Sequence, residues 1–189
     1  MRPKEFNRNS VLEKCIVLFW KEGYNGTGIQ KIVDTTMVNR YSLYDEFENK
    51  DGILIASLKL YIDRHIPWEL LSNPDSVEDI LFQFYTSFFR PSKIDKHPIG
   101  CYISTMALEL RETDVMQAFF NSYLDVLRDK FIQLLQTKSN INKNEAKLVA
   151  EQLTIFYCTS MGMYVIFSQQ ETEKYIQDNL NLITKCLNK

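Results

Sequence analysis

Apolar residues recur at helical spacing through almost the whole chain. The first such stripe predicts one face of an α-helix and consists of Val11, Leu12, Cys15, Ile16, Phe19 and Trp20. Ser10, followed three residues later by Glu13, predicts a capping box at the start of this helix. Gly23 predicts its end, because glycine accepts the left-handed backbone that closes many helices.

Two short amphipathic segments and one longer segment follow. Thr27 and Asn39 predict the N-caps of the two short helices. The inward positions of these helices are Ile29, Ile32, Val33, Leu43, Tyr44 and Phe47. A longer helix is predicted over residues 52–66. Pro67 ends it, because the residue before a proline avoids helical backbone.

The pattern predicts five more helices beyond a polar linker at residues 70–76. They cover residues 76–89, 99–110, 113–137, 144–168 and 172–187, with a loop at residues 90–98. No segment shows the strict alternation of polar and apolar residues that marks a half-buried strand. The predicted fold class is therefore all-α, with about nine helices.

Composition and charge argue against a disordered chain, a strongly basic nucleic-acid-binding protein and a membrane protein. Of the 189 residues, 45% are hydrophobic, which is enough for a packed core and argues against disorder. The net charge of −2 means that any contact with nucleic acid is local. Residues 1–65 carry a net charge of +1, and the rest of the chain carries −3. The N-terminus is polar and no apolar run reaches the roughly 18 residues of a membrane span, so we expect a cytoplasmic protein that does not contact a membrane.

No arrangement of residues points to catalysis. The sequence lacks a phosphate-binding loop, a nucleophile elbow and metal-ligand spacing, and its two histidines, His65 and His97, are isolated. We therefore expect no enzyme, no cofactor and no metal site. The cysteines are far apart and are interpreted as small core residues, with a redox-sensing cysteine kept as an alternative: Cys15, Cys101, Cys158 and Cys186.

The order of the N-terminal features is specific. A three-turn helix precedes Gly-Tyr-x-x-Thr, two short helices, Leu-Tyr-x-x-Phe-x-x-Lys and a long helix. This order resembles the N-terminal domain of the tetracycline-repressor-like (TetR) family across about residues 8–60. The matching residues are Arg8, Leu12, Phe19, Gly23, Tyr24, Thr27, Ile32, Val38, Leu43, Tyr44, Phe47, Lys50 and Leu54. Residues 100–110, with their Gly-Cys pair, also resemble a stretch in the ligand-binding half of some members.

The resemblance implies a DNA-binding helix-turn-helix at residues 1–50, joined through helix 51–66 to a ligand-binding and dimerisation domain at residues 51–189. It implies that side chains before and around the two short helices contact the DNA backbone, namely Arg8, Thr27, Tyr44 and Lys50. The bases would be read from the outer positions of the recognition helix, with Asn39, Arg40, Tyr41 and Ser42 as candidates.

The sequence departs from the family pattern in three ways. Met37 stands where the turn usually has glycine, and a left-handed backbone there would cost about 1 kcal/mol. Tyr41 stands where a small residue is common. Asp45 and Glu46 add two carboxylates close to the DNA phosphates. The sequence therefore predicts few effective phosphate contacts, about 3–5 per subunit, and a shallow dependence of DNA affinity on salt.

The C-terminal half predicts a pocket and a dimer interface. Aromatic and methionine residues on helical faces suggest an apolar ligand pocket formed by Tyr85, Tyr102, Met106, Tyr123 and Tyr157. The last two helices are apolar on more than one face, which a monomer of this size cannot fully bury. The expected dimer interface is Phe156, Gly162, Met163, Ile166, Ile176, Leu180, Ile183 and Leu187.

The sequence thus favours a sequence-specific transcriptional regulator. By analogy with the family it would be a homodimeric repressor that binds a palindromic operator in double-stranded DNA and is released by a small apolar or aromatic inducer. The fourth helix would couple the two halves through contacts with residues such as Tyr102. The alternative is a helical protein-interaction module with a degenerate helix-turn-helix that no longer binds DNA.

Overall fold

The computed structural model describes residues 6–89, 100–185 and 187, and these residues form nine α-helices with no strand. The all-α prediction is confirmed. The helices are α1 (Arg8–Glu22), α2 (Ile29–Thr36), α3 (Arg40–Phe47), α4 (Lys50–His65), α5 (Val77–Thr86), α6 (Tyr102–Glu109), α7 (Asp114–Lys138), α8 (Lys143–Ile166) and α9 (Gln169–Lys185). The predicted loop at 90–98, which includes His97, lies outside the described residues, as does Cys186.

Two predicted helix starts are wrong. The N-cap of α1 is Asn7 and not Ser10, because the Asn7 side chain accepts a hydrogen bond from the Ser10 amide at 3.0 Å. An asparagine three residues upstream caps the helix as well as serine does, so local sequence does not decide between them. The N-cap of α2 is Gly28 and not Thr27. By contrast, the predicted cap at Asn39 is confirmed, since its side chain accepts from the Ser42 amide at 2.8 Å.

Two predicted boundaries also shift. The fourth helix spans Lys50–His65, with Asn49 as its N-cap, so it begins two residues before the predicted start at 52. The predicted linker at 70–76 is partly structured, because Trp68–Ser72 form a 3₁₀ helix and Ser76 caps α5. In the described residues no helix is long and apolar enough to cross a membrane.

The N-terminal helices share one buried underside. α1 packs along α4, and α2 and α3 close over the end of this pair. The side chains that meet there include Phe19, Ile32, Leu43, Phe47 and Leu54, and each is buried. Removing these apolar surfaces from water fixes α3 on the outside of the module, with its opposite face turned to solvent.

Aromatic rings form the core of the C-terminal half. The Phe84 ring lies edge-on to Phe131 with centroids 5.7 Å apart, and Tyr85 stacks on Phe131 at 6.2 Å. The long helices α7 and α8 pack along each other, and α9 covers α5. α6 lies between the two halves, where the Tyr102 hydroxyl is 2.8 Å from Ser57 Oγ on α4.

Candidate nucleic-acid interface

The turn between α2 and α3 is tight and strained. Met37 ends α2 with φ 61° and ψ 25°, and its amide donates to the Val33 carbonyl at 2.8 Å. The sequence left open whether the backbone at this position is left-handed or the turn is reshaped, and the structure has the left-handed conformation. A residue with a Cβ costs about 1–2 kcal/mol there. The Met37 side chain is 84% exposed, so no packing within the monomer offsets the strain.

The outer face of α3 presents four side chains to solvent. Arg40, Tyr41, Tyr44 and Asp45 line one shallow surface concavity. Tyr41 is 81% exposed, whereas Tyr44 is half-buried, with the Arg40 guanidinium 5.2 Å from its ring centroid. These residues have the exposure that a base-reading surface needs, and the underside of the same helix is fixed by Leu43 and Phe47.

The two predicted readers at the start of α3 are partly occupied. The side-chain oxygen of Asn39 accepts the cap hydrogen bond from the Ser42 amide. Only the amide NH₂ group of Asn39 therefore remains to contact a base edge, and as a donor it suits an acceptor such as guanine O6 or N7. Ser42 is half-buried behind this cap.

Glu46 does not face the DNA side of α3. Its carboxylate accepts from Arg8 Nε at 3.0 Å, and its side chain is only 14% exposed. The Arg8 guanidinium also lies 5.2 Å from the Phe47 ring centroid. Arg8 was expected just before the first helix, but it is the first residue of α1. Its contacts with Glu46 and Phe47 hold its side chain against α3. Of the two predicted acidic departures, only Asp45 remains on the exposed face.

Lys50 is held at the N-terminus of α4 by a small cluster. Its ammonium lies 3.9 Å from the Tyr24 ring centroid, and the Tyr24 hydroxyl donates to Asp51. Burial lowers the pKa of Lys50, although the carboxylates of Asp51 and Glu109 oppose the shift. Burial and then the hydrogen bond to Asp51 raise the pKa of Tyr24. Lys50 therefore keeps a fixed position at the edge of the module.

The hydroxyl of Thr27, which the sequence predicts as a phosphate contact, is turned into the protein. Thr27 is buried, and its hydroxyl donates to the Gly23 carbonyl at 2.7 Å. This hydrogen bond joins the end of α1 to the turn before α2. Gly28 takes the N-cap position of α2 that Thr27 was expected to hold.

Other cations of the N-terminal module are also paired. Lys31 lies 2.9 Å from Glu22, and Arg64 lies 2.6 Å from Glu13. These exposed pairs contribute little stability, but each lowers the local positive potential. The small number of effective phosphate contacts expected from the sequence stays a prediction.

The five predicted pocket residues are all buried in the monomer, and the hydroxyls of the four tyrosines already have hydrogen-bond partners. The Tyr123 hydroxyl donates to that of Tyr157 at 2.9 Å, and Tyr157 lies 3.7 Å from Cys101 Sγ. The Tyr85 hydroxyl donates to the Leu153 carbonyl at 2.6 Å. Tyr102 and Met106 lie at the boundary with α4, and neither is exposed. A ligand at these residues must displace packed rings.

Two predicted interface residues are inside the monomer. Ile176 and Leu180 are fully buried on the inner face of α9, where they pack with the core. The exposed apolar positions are instead Leu148, Ile155 and Ile166 on α8 and Tyr175 and Leu182 on α9. Phe156, Met163, Ile183 and Leu187 are half-buried and Gly162 is exposed, so these predicted positions border the outer face. The apolar outer face is the set Leu148, Ile155, Ile166, Tyr175 and Leu182.

Sequence reasoning missed a contact between the two halves of the chain. Both carboxylate oxygens of Glu109, at the end of α6, accept backbone amides of the turn after α1, one from Tyr24 at 2.8 Å and one from Asn25 at 2.7 Å. Gly23 allows the close approach, because a Cβ built at this position would lie 2.9 Å from the Glu109 carboxylate. The sequence points to this contact only indirectly. The backbone amides that follow the glycine at the end of α1 need a hydrogen-bond acceptor, but nothing in the sequence identifies Glu109 as that acceptor.

The chain is similar in sequence to known bacterial transcriptional regulators. The family described as "Bacterial regulatory proteins, tetR family" matches residues 11–57, which span α1 to the first half of α4. The chain is 34% identical over 105 residues to the HTH-type transcriptional repressor ComR of Escherichia coli. That match covers 54% of this chain and 50% of ComR, so the chain spans half the length of this curated relative.

Solved structures share the fold over nearly the full chain. A TetR-family regulator from Cytophaga hutchinsonii superposes with a TM-score of 0.78 at 17% identity, covering 99% of this chain and 97% of that one. CifR, solved as a cysteine mutant with a 26-base-pair operator duplex, superposes with a TM-score of 0.76 at 18% identity. That superposition covers 95% of this chain and 98% of CifR.

Proposed function

Because the chain belongs to the TetR family of helix-turn-helix transcriptional regulators, we propose that it is a sequence-specific repressor. It binds a palindromic operator as a homodimer and leaves it when a small apolar or aromatic ligand binds. The N-terminal module, residues 1–50, reads DNA. Residues 51–189 bind the ligand and the second subunit, and α4 joins the two parts.

The observation that carries this proposal is the free outer face of α3. Its inner side is fixed by Leu43 and Phe47, while Arg40 and Tyr41 extend into solvent at its N-terminal end. The N-terminal end of a recognition helix is the part that reaches base edges in the major groove. Asn39, Arg40, Tyr41 and Ser42 are the proposed base contacts, and Arg8, Tyr44 and Lys50 are the proposed backbone contacts.

The homodimer is supported by the apolar outer face. Ile166 is 76% exposed and Leu182 is 65% exposed, and monomeric proteins rarely leave such neighbouring helices apolar on the solvent side. A second copy of the same face buries both sets across a two-fold axis. A two-fold protein also matches a palindromic operator, in which each recognition helix reads one half-site.

The inducer site is proposed at the buried tyrosines of the C-terminal half. The hydroxyls of Tyr123 and Tyr157 bond to each other, and a polar group of a ligand can take the place of either one as hydrogen-bond partner. The proposed apolar walls are Tyr85, Tyr102 and Met106. Opening this cluster displaces Tyr102, which contacts Ser57 on α4 at 2.8 Å. Ligand and operator then favour different positions of α4. This requires the ligand to bind the two states with different affinity.

Selection of bound duplexes from a random DNA pool at about 100 mM salt tests the function. The expected product is a palindrome bound by two chains, and Arg40→Ala should weaken or change the selected half-site. Lys59→Ala, a charge change on the exposed side of α4, serves as the matched control and should select the same palindrome. Absence of enrichment by the wild type would favour the protein-interaction module.

A redox-sensing variant of this function is less well supported. Burial raises the pKa of the Cys15 thiol to about 12, and burial also raises the pKa of Cys158. Thiols held in the protonated form are poor nucleophiles toward oxidants. Operator affinity that is unchanged by peroxide is therefore the expected result, and a reversible loss of affinity would favour cysteine sensing.

A further inference from the structure

The concavity on the outer face of α3 is mainly apolar, although it lies on a helix proposed to face DNA. It is lined by Tyr41 and Tyr44 together with Arg40 and Asp45. The guanidinium of Arg40 lies 5.2 Å from the Tyr44 ring centroid and so holds that ring on one side. We call this feature the tyrosine recess. Removing this exposed apolar surface from water is favourable when an apolar group of a binding partner covers it.

We propose that the tyrosine recess binds the C5-methyl group of a thymine in the major groove, an inference that rests on the proposed function. Among the groups that base pairs present in this groove, the thymine methyl is the apolar one. Hydrogen-bond donors and acceptors of the other base edges would lose water against the rings without gaining a partner. The recess is therefore a specificity determinant for a T·A pair in each half-site.

The charge at the rim supports the same base pair. Asp45 is exposed, and a carboxylate can accept but not donate hydrogen bonds. It therefore repels the two acceptors, O6 and N7, on the major-groove edge of guanine. The exocyclic amine of an adenine or a cytosine is compatible with it. The Asp45 carboxylate thus disfavours a guanine at the base pair that the tyrosine recess contacts.

Replacing thymine by uracil in the operator tests the inference. The substitution removes the methyl group and keeps base pairing and charge. Each thymine of the half-sites in the selected duplex is replaced in turn, and affinity is measured at constant salt. One position per half-site should lose about fourfold in affinity, the effect of one buried methyl group. The other positions should change less.

Two variants of Tyr41 assign the effect to the recess. Tyr41→Ala should bind the thymine and uracil duplexes equally, because the wall of the recess is gone. Tyr41→Phe should keep the discrimination, because the ring remains. Both variants should fold normally, since the side chain makes little contact with the core.

The outcomes separate this inference from the proposed function. A wild type that prefers its operator but is indifferent to uracil at every position overturns the inference and leaves the function intact. The same thymine-to-uracil ratio in the wild type and in Tyr41→Ala also overturns it. Failure to prefer any duplex overturns both.

Discussion

The carboxylate of Glu109 accepts the backbone amide of Tyr24 at 2.8 Å, although the two residues are 85 positions apart in the chain. Glu109 closes α6, and Tyr24 begins the turn that leads from α1 into the helix-turn-helix. The other end of α6 contacts α4 through Tyr102 and Ser57. α6 therefore contacts both the N-terminal module, through Glu109, and helix α4, through Tyr102.

Glu109→Ala should lower the free energy of unfolding by about 1–3 kcal/mol, because the amides of Tyr24 and Asn25 lose a charged acceptor. Urea denaturation at fixed protein concentration measures the change. Glu112→Ala is the matched control: this carboxylate is 85% exposed and its contact with Arg111 is 3.7 Å long. The control should change stability by less than about 0.5 kcal/mol. Equal effects of the two substitutions would contradict the contact.

Met37→Gly should stabilise the protein by about 0.5–1 kcal/mol. Glycine relieves the strain of the left-handed backbone, and its greater entropy in the unfolded chain offsets part of the gain. Met37→Ala keeps the Cβ and therefore the strain, so thermal unfolding of this control should resemble that of the wild type. Destabilisation by glycine would mean that the methionine side chain stabilises the turn.

Leu182→Glu should weaken the proposed homodimer by at least about 100-fold, because the new carboxylate would lose its hydration in the apolar outer face without gaining a partner. Sedimentation equilibrium measures the dissociation constant. Leu108→Glu is the control, since Leu108 is also exposed but lies on α6. A dimer that survives Leu182→Glu and dissociates with Leu108→Glu would place the interface elsewhere.

Glu46→Gln should raise DNA affinity and make the salt dependence steeper. The wild-type slope of log affinity against log salt is expected at about −3 to −4.5 per subunit, which corresponds to 3–5 phosphates. In the wild type the Glu46 carboxylate neutralises Arg8, so the proposed phosphate contact of Arg8 adds little to the salt dependence. Loss of the Glu46 charge restores this contribution and changes the slope by about −1. Glu13→Gln, which frees Arg64 on α4 instead, is the control. A wild-type slope near −10 per subunit would refute the account of the charges.

Alkaline pH should destabilise the protein through Cys15. Its thiol is neutral in the folded state up to a pKa of about 12 but ionises in the unfolded state from about 9. The stabilising contribution is therefore complete below pH 9 and is lost as the pH rises. Between pH 9 and 10 the free energy of unfolding should fall by about 1 kcal/mol more in the wild type than in Cys15→Ala. Parallel pH profiles would show that Cys15 is ionised or exposed.

The sequence predicts the helices well because their apolar spacing is local information. The predicted caps show the limit: Asn39 was correct, but Ser10 and Thr27 lost to neighbours, Asn7 and Gly28, that can also hold the cap position. In α9 the periodicity revealed two apolar stripes but not which one faces inward. Packing against α5 buries Ile176 and Leu180 and leaves Leu182 outside.

The candidate site was predictable only where its residues are neighbours in the chain. The exposure of Tyr41 follows from helical periodicity. Met37 stands out by its place in the turn, but the sequence does not decide whether the backbone there is left-handed or the turn is reshaped. The pairing of Arg8 with Glu46 joins residues 38 positions apart, and it changes the charge that α3 presents to DNA. Such contacts depend on how α1 packs against α3, which no local pattern encodes.

The most direct test of sequence-specific DNA reading by α3 is the ratio of two affinities, measured at about 100 mM salt. One is the affinity for the duplex recovered by selection, and the other is that for a scrambled duplex of the same composition. The expected ratio is about 10³ or more, with two chains bound per operator. A ratio near one, at any stoichiometry, would contradict it and would favour a helix-turn-helix that serves protein contacts.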